Sequence, residues 1–180
     1  YISSGIQLPV TDYRGKMVLL VDNTFSTALA TQLTQLVNDL RADGWIVLRS
    51  DVSRTASVPS IRSIIQTYYN ADPANVKAVF LFGHVPVPYS GQLNPDGHGD
   101  HIGAWPADGY YGDMNGTWTD NSVNSTGGQD SRNHNVPGDG KFDQSDYPSA
   151  LELQVGRVDM SLMESFQYYL GLNEQTLLGN

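Results

Sequence analysis

Four short apolar runs punctuate the chain, at residues 17–21 (MVLLV), 45–48 (WIVL), 78–82 (AVFLF) and 151–155 (LELQV). Near-continuous apolarity over so few residues marks strands covered on both faces. Between the first two runs, Leu29, Leu33, Leu36, Val37 and Leu40 recur at helical spacing. Ser26 is placed to cap that helix, and Gly44 to close it in the left-handed conformation. Ser57 and Pro59 open a second helix with Ile61, Ile64, Ile65 and Tyr68 on one face, and Asp72-Pro73 breaks it. Ser161 and Glu164 form an S-x-x-E capping box for a C-terminal helix. Residues 1–15 read as an irregular lead-in. Alternating strands and helices predict an α/β fold: a mainly parallel four-stranded sheet flanked by helices. Crossovers should be right-handed. Residues 1–180 then form one domain, interrupted by a long Asp/Gly-rich loop insertion at 91–146.

Parallel sheets of this kind bind ligands beyond the carboxyl ends of their strands. Three segments are expected there: Asp22-Asn23-Thr24, Gly83-His84 and Gly156-Arg157. The acidic loop also leaves the sheet at that edge. His84, and Asp108 within the loop, are therefore the candidate functional-edge residues outside any metal site.

Composition narrows the function. The 180 residues carry a net charge of −9 and no Cys. The acidic balance argues against nucleic-acid binding. No apolar run approaches the ~20 residues of a membrane span. Without Cys the chain has no disulfide, no thiolate nucleophile and no Cys-ligated zinc. Only 16% of residues are charged, which points to an extracellular or cell-surface setting. The charge is concentrated: residues 91–146 hold nine Asp and no Glu against one Arg and one Lys, and 11 of the 18 Gly. Asp and Gly in such density suit hard cations, whose oxygen ligands need tight turns between them. A solvated polar loop without an ion has the same composition.

Two constellations in the loop could hold a metal. Residues 135–146 (NVPGDGKFDQSD) follow a calcium-loop pattern of the dockerin type. Asn135, Asp139, Asp143 and Asp146 fall at side-chain ligand positions, Lys141 at the backbone-carbonyl position and Gly140 at the sharp turn. Pro137 stands where a third ligand is expected, and an Asx-turn loop is the ion-free alternative. Residues 96–103 (DGHGDHIG) resemble the H-x-H-x-D-H signature of metallo-β-lactamase-type hydrolases through Asp96, His98, Asp100 and His101. Asp96 replaces the first His, Ala104 the second Gly, and zinc is not expected. The Trp105, Tyr110, Tyr111 and Trp118 cluster reads as packing of the loop onto the sheet in preference to a sugar- or peptide-stacking platform. Neither a G-x-S-x-G elbow nor a phosphate-binding glycine motif is present.

The order of these features resembles the gingipain-type cysteine peptidases. The likeness runs from Gly15-Lys16-Met17-Val18-Leu19-Leu20-Val21 through Val79-Phe80-Leu81-Phe82-Gly83-His84-Val85-Pro86. It continues in Asp108-Gly109-Tyr110-Tyr111-Gly112 and Leu153-Gln154-Val155-Gly156-Arg157, similar to that family's D-x-x-Y-G and apolar-x-G-R elements. The resemblance implies a caspase-like α/β fold. It also implies that the catalytic Cys and His belong to a following subdomain, so no catalytic residue carries over to this chain. The expected partner is that C-terminal catalytic subdomain, with a peptide or protein substrate reached through it. Three readings follow: a non-catalytic N-terminal subdomain of a secreted peptidase with calcium ordering its loop; a non-enzymatic cell-surface scaffold module; and a metal-dependent hydrolase built on His98 and His101.

Overall fold

The computed structural model describes residues 12–161. The helix expected from Ser161 and Glu164 lies outside the described residues. Within them the chain runs β1 (Gly15–Asp22), α1 (Ala30–Ala42), β2 (Trp45–Val52), α2 (Val58–Ala71) and β3 (Val76–Phe82). A short pair, β4 (Tyr89–Leu93) and β5 (Gly103–Pro106), precedes the last strand, β6 (Gln154–Val158). The main sheet has the order β2-β1-β3-β6 with every pair parallel. The predicted α/β class is therefore what the chain adopts.

The two helices lie on opposite faces. Leu19 and Val21 of β1 pack with Phe25, Leu29 and Leu33 on the α1 side. Val18 and Leu20, one residue out of phase, pack with Ile61 and Ile65 of α2 on the other. The period-two alternation of a strand makes this division, and all four β1 residues are fully buried. Opposite faces are what equal handedness requires: the chain moves outward from β1 to β2, then back across β1 to β3. The strand order thus reverses between β1 and β3, and the edge beyond their carboxyl ends is where sheets of this kind form a binding crevice.

Local signals mostly act as expected. The Ser57 hydroxyl accepts the Ser60 amide at 3.3 Å and Pro59 sits in the first turn of α2. Gly44 adopts φ +95°, and a Cβ there would lie 1.7 Å from the Asp12 carbonyl oxygen, so only glycine fits. Ser26 is a correction. Helix α1 starts at Ala30 without a side-chain cap, and the Ser26 hydroxyl instead donates to Asp51 at 2.6 Å. The fourth strand is a second correction. It starts at Gln154, while Leu151 is exposed and Glu152 turns away to accept the Met114 amide. Gly156 and Arg157 consequently lie inside β6, paired with Phe80 and Leu81, and not beyond its end.

Residues 91–146 are ordered by contacts among themselves and with the sheet and α2. β4 and β5 pair antiparallel, Ser90 bridges Phe142 and Ser125 bridges Asn135. Tyr110, Tyr111 and Trp118 pack as expected, whereas Trp105 stays half-buried and lines two cavities. Tyr110 stacks on Phe142 at 4.4 Å, Trp118 meets both edge-on, and Arg62 lies over Tyr110. Together they join the core on the α2 side of the sheet.

Candidate functional site

The edge where that crevice is expected, beyond the ends of β1 and β3, collects four charged or titratable side chains. Asp22 ends β1 with its side chain fully buried. Its carboxylate accepts the Thr24 amide and hydroxyl, the His84 amide at 3.2 Å, and the Arg54 guanidinium at 2.6 Å. Burial pushes this carboxyl up, but the Arg54 and Thr24 hydrogen bonds and the Arg54 charge outweigh it and hold it below the usual range. Gly83 makes the approach possible: at φ +80°, any Cβ would meet Asp22 and the Phe25 ring within 3 Å. His84 then turns its Nδ1 onto the Asp159 carboxylate at 2.8 Å, with 39% of its side chain exposed. Burial raises the Asp159 carboxyl, while Ser161 and His84 draw it below its ordinary value. Chemically this is an imidazole fixed by a carboxylate beside a half-buried ion pair, and among the described residues no nucleophile contacts the imidazole.

Directly behind His84, motifs far apart in sequence meet. Arg157 forms a bidentate pair with Asp108, at 2.7 and 2.8 Å. The same guanidinium donates to the carbonyls of Val85 and Pro86. The Tyr111 hydroxyl also donates to the Pro86 carbonyl at 2.7 Å, and burial pushes its own pKa far up. The segment leaving β3 is thus clamped by Asp108, Tyr111 and Arg157. Asp108, expected at the functional edge, orients a guanidinium there. The sequence reading missed Asp22, Arg54 and Asp159 as site residues. An acid ending a run of buried aliphatics, as Asp22 does, was the available signal.

The metal candidates separate. Among the described residues, one group of three His, Cys, Asp or Glu offers ligand atoms within 4.8 Å of one another: Asp96, His98 and His101. Asp100 stands outside it. Both imidazoles approach the same Asp96 oxygen through Nδ1, at 3.2 and 2.5 Å. The His101 hydrogen bond, aided by His98, lowers Asp96 to about 2 and raises His101 in return. A cavity of about 400 Å³ adjoins them, walled by Tyr89, His101, Trp105, Asp130, Arg132 and Asn133.

In the calcium-like loop the acidic side chains diverge. Asp143 accepts three successive amides, from Asn121, Ser122 and Val123. Burial opposes its ionisation, but these bonds depress its pKa strongly. Asp139 accepts the Val136 and Lys141 amides and the Lys141 ammonium. Asp146 borders a second cavity of about 220 Å³. Asn135 is fully buried and donates to the Gly91 and Phe142 carbonyls, leaving its own Oδ1 without a partner.

Sequence comparison now bears on the clamp and the crevice together. Residues 11–170 match peptidase family C25, the gingipain family. The chain belongs to that family. No curated protein and no solved structure matches it. The C25 match spans every strand of the sheet, the Asp108–Tyr111–Arg157 clamp and the whole of residues 91–146. In this C25 chain the scattered D-x-x-Y-G and apolar-x-G-R elements meet at one place, the exit of β3. Their physical task here is to fix that exit.

Proposed function

We propose that this chain is the non-catalytic N-terminal subdomain of a secreted C25 cysteine peptidase. The thiolate and its imidazole partner come from polypeptide outside these residues. The carrying observation is the absence of any Cys from a chain matched to a cysteine peptidase family over residues 11–170. Thiolate attack is the step such chemistry requires. In this reading the crevice bearing His84 and Asp159 faces the catalytic subdomain, and peptide substrate is reached through that contact. The location at the carboxyl ends of the strands favours it. The low charged fraction favours secretion. Calcium ordering of residues 135–146 rests on the loop pattern and on the unpartnered Asn135 Oδ1.

The test is an assay of the purified chain against a fluorogenic peptide library, alone and mixed with the remaining polypeptide of its own protein. Silence alone and turnover in the mixture are expected. Turnover by the pure chain overturns the proposal, and silence of the mixture favours the scaffold reading instead. Calcium is tested separately by a thermal melt with and without chelator. A lower midpoint on chelation, abolished in Asp139→Asn, is expected, and an unchanged midpoint removes calcium from the reading.

A further inference from the structure

We propose that Asp96, His98 and His101 form a site for a divalent transition-metal ion at the turn joining β4 to β5. Two imidazole nitrogens and one carboxylate oxygen converge within 4.8 Å. That donor set suits zinc and its neighbours, whereas calcium and magnesium prefer oxygen alone. Tetrahedral zinc, with ligands at ~2.0–2.1 Å, separates neighbouring ligand atoms by about 3.3 Å. The His98 Nδ1 to Asp96 Oδ2 distance is 3.2 Å, already close to that edge. The His101 contact, at 2.5 Å, has to widen by about 0.8 Å to admit the ion.

The turn is pre-shaped for this role. The Asp96 Oδ1 accepts the His98 amide at 3.1 Å, which leaves Oδ2 directed to the imidazoles. The His101 amide donates to the His98 carbonyl, closing the short turn Gly99–His101. The turn is also tied to its surroundings. Trp105 Nε1 donates to the His101 carbonyl, and the Gln129 amide donates to the Asp100 carbonyl. A ligand set held by packing and outer hydrogen bonds binds with less ordering cost. Three protein ligands leave a fourth position open, as in sites that take water or a ligand. His101 belongs to both the cluster and the wall of the 400 Å³ cavity. The ion therefore borders that cavity.

The site is separate from the β1–β3 crevice and does not depend on the peptidase reading. The experiment uses the full chain, stripped of metal and titrated with Zn²⁺ and Ca²⁺ in parallel by calorimetry and equilibrium dialysis. One Zn²⁺ per chain with micromolar affinity is expected. His98→Ala and His101→Ala should each weaken it by at least ~10-fold, the lower end of what losing even an outer-sphere partner costs. The double variant should abolish it, while His84→Ala and His134→Ala leave it unchanged. His98 is 71% exposed and His101 42%, so these variants keep the fold, which an unchanged melt verifies. Tetrahedral Co²⁺ absorption, lost in the double variant, gives a second readout. No saturable Zn²⁺ binding below about 100 µM, binding that survives the double variant, or a preference for Ca²⁺ overturns the proposal.

Discussion

The sheet and the 91–146 segment of this chain are ordered by different forces. In β1, Val18 to Val21 are wholly buried and pack alternately on two helices. There the stabilising term is apolar area removed from water. In the acidic segment, short carboxylates hold backbone amides. Asp143 takes three, Asp120 takes those of Gly138 and Gly140, and Asp113 takes the Gly116 amide with the Trp118 indole and Ser149 hydroxyl. Asp does this where Glu would not: its short side chain bonds nearby backbone with little entropy lost. Carboxylates in such a loop therefore order the backbone directly, and the positive potential of the N–H groups they accept adds to any that a cation supplies.

The largest expected effect comes from the sheet. Leu20→Ala should cost about 2–5 kcal/mol in a denaturant melt, with both regions unfolding together, because Tyr110, Tyr111 and Phe142 share its core cluster. Separate transitions would show the two regions to be independent. Next is the clamp. Arg157→Ala strands Asp108 and the Val85 carbonyl, while Pro86 keeps the Tyr111 hydroxyl, and should cost about 3 kcal/mol. Arg157→Lys should recover only part, since an ammonium cannot make the bidentate contact. Full recovery would mean that charge alone matters there.

Asp143→Asn should cost about 1–3 kcal/mol and speed hydrogen exchange at residues 121–123 while leaving β1 protected. Equal acceleration in β1 would erase the distinction between the regions. Acid should expose the same difference. Asp113, Asp139 and Asp143 have depressed folded pKa values. Their contribution is complete above the ordinary Asp value of about 3.9 and fades as pH falls through the folded values. Exchange in the acidic segment should therefore rise below about pH 4, and the response of the sheet is set by Asp22 and Asp51, whose folded values are also depressed. The smallest effect belongs to the surface pair Arg14–Asp43, whose side chains are each 54% exposed. Arg14→Ala should change stability by less than about 1 kcal/mol.

The fold class, the two helices and three of the four main strands were legible in the apolar runs, because burial on both faces leaves a dense local signature. The fourth strand was misplaced by three residues. Leu151 and Leu153 suggested an earlier start, but Leu153 serves the Tyr110–Phe142 cluster and Leu151 faces solvent. Of the candidate site, His84 was legible because it follows a visible strand and Gly83, and the Asp22-Asn23-Thr24 segment and Asp108 were expected at the same edge. Arg54 and Asp159 carry no local pattern. They became site residues because the sheet order brings the ends of β1, β2, β3 and β6 to one edge.

The sequence alone determined the fold class, the two helices and three of the main strands, and that no thiolate chemistry could arise within it. Periodicity, turn residues and the lack of Cys are properties of short stretches or of composition, and need no fold to be read. Tertiary structure decided the partners. Tyr111 and Arg157 meet Pro86 and Val85, and Arg157 meets Asp108, across separations of 25 to 72 residues. Which carboxylates face amides and which face imidazoles was settled in the same way. Hydrogen bonds and ligand geometry depend on distances of a few ångströms, and chain positions so far apart acquire such distances only when the sheet and its crossovers have formed.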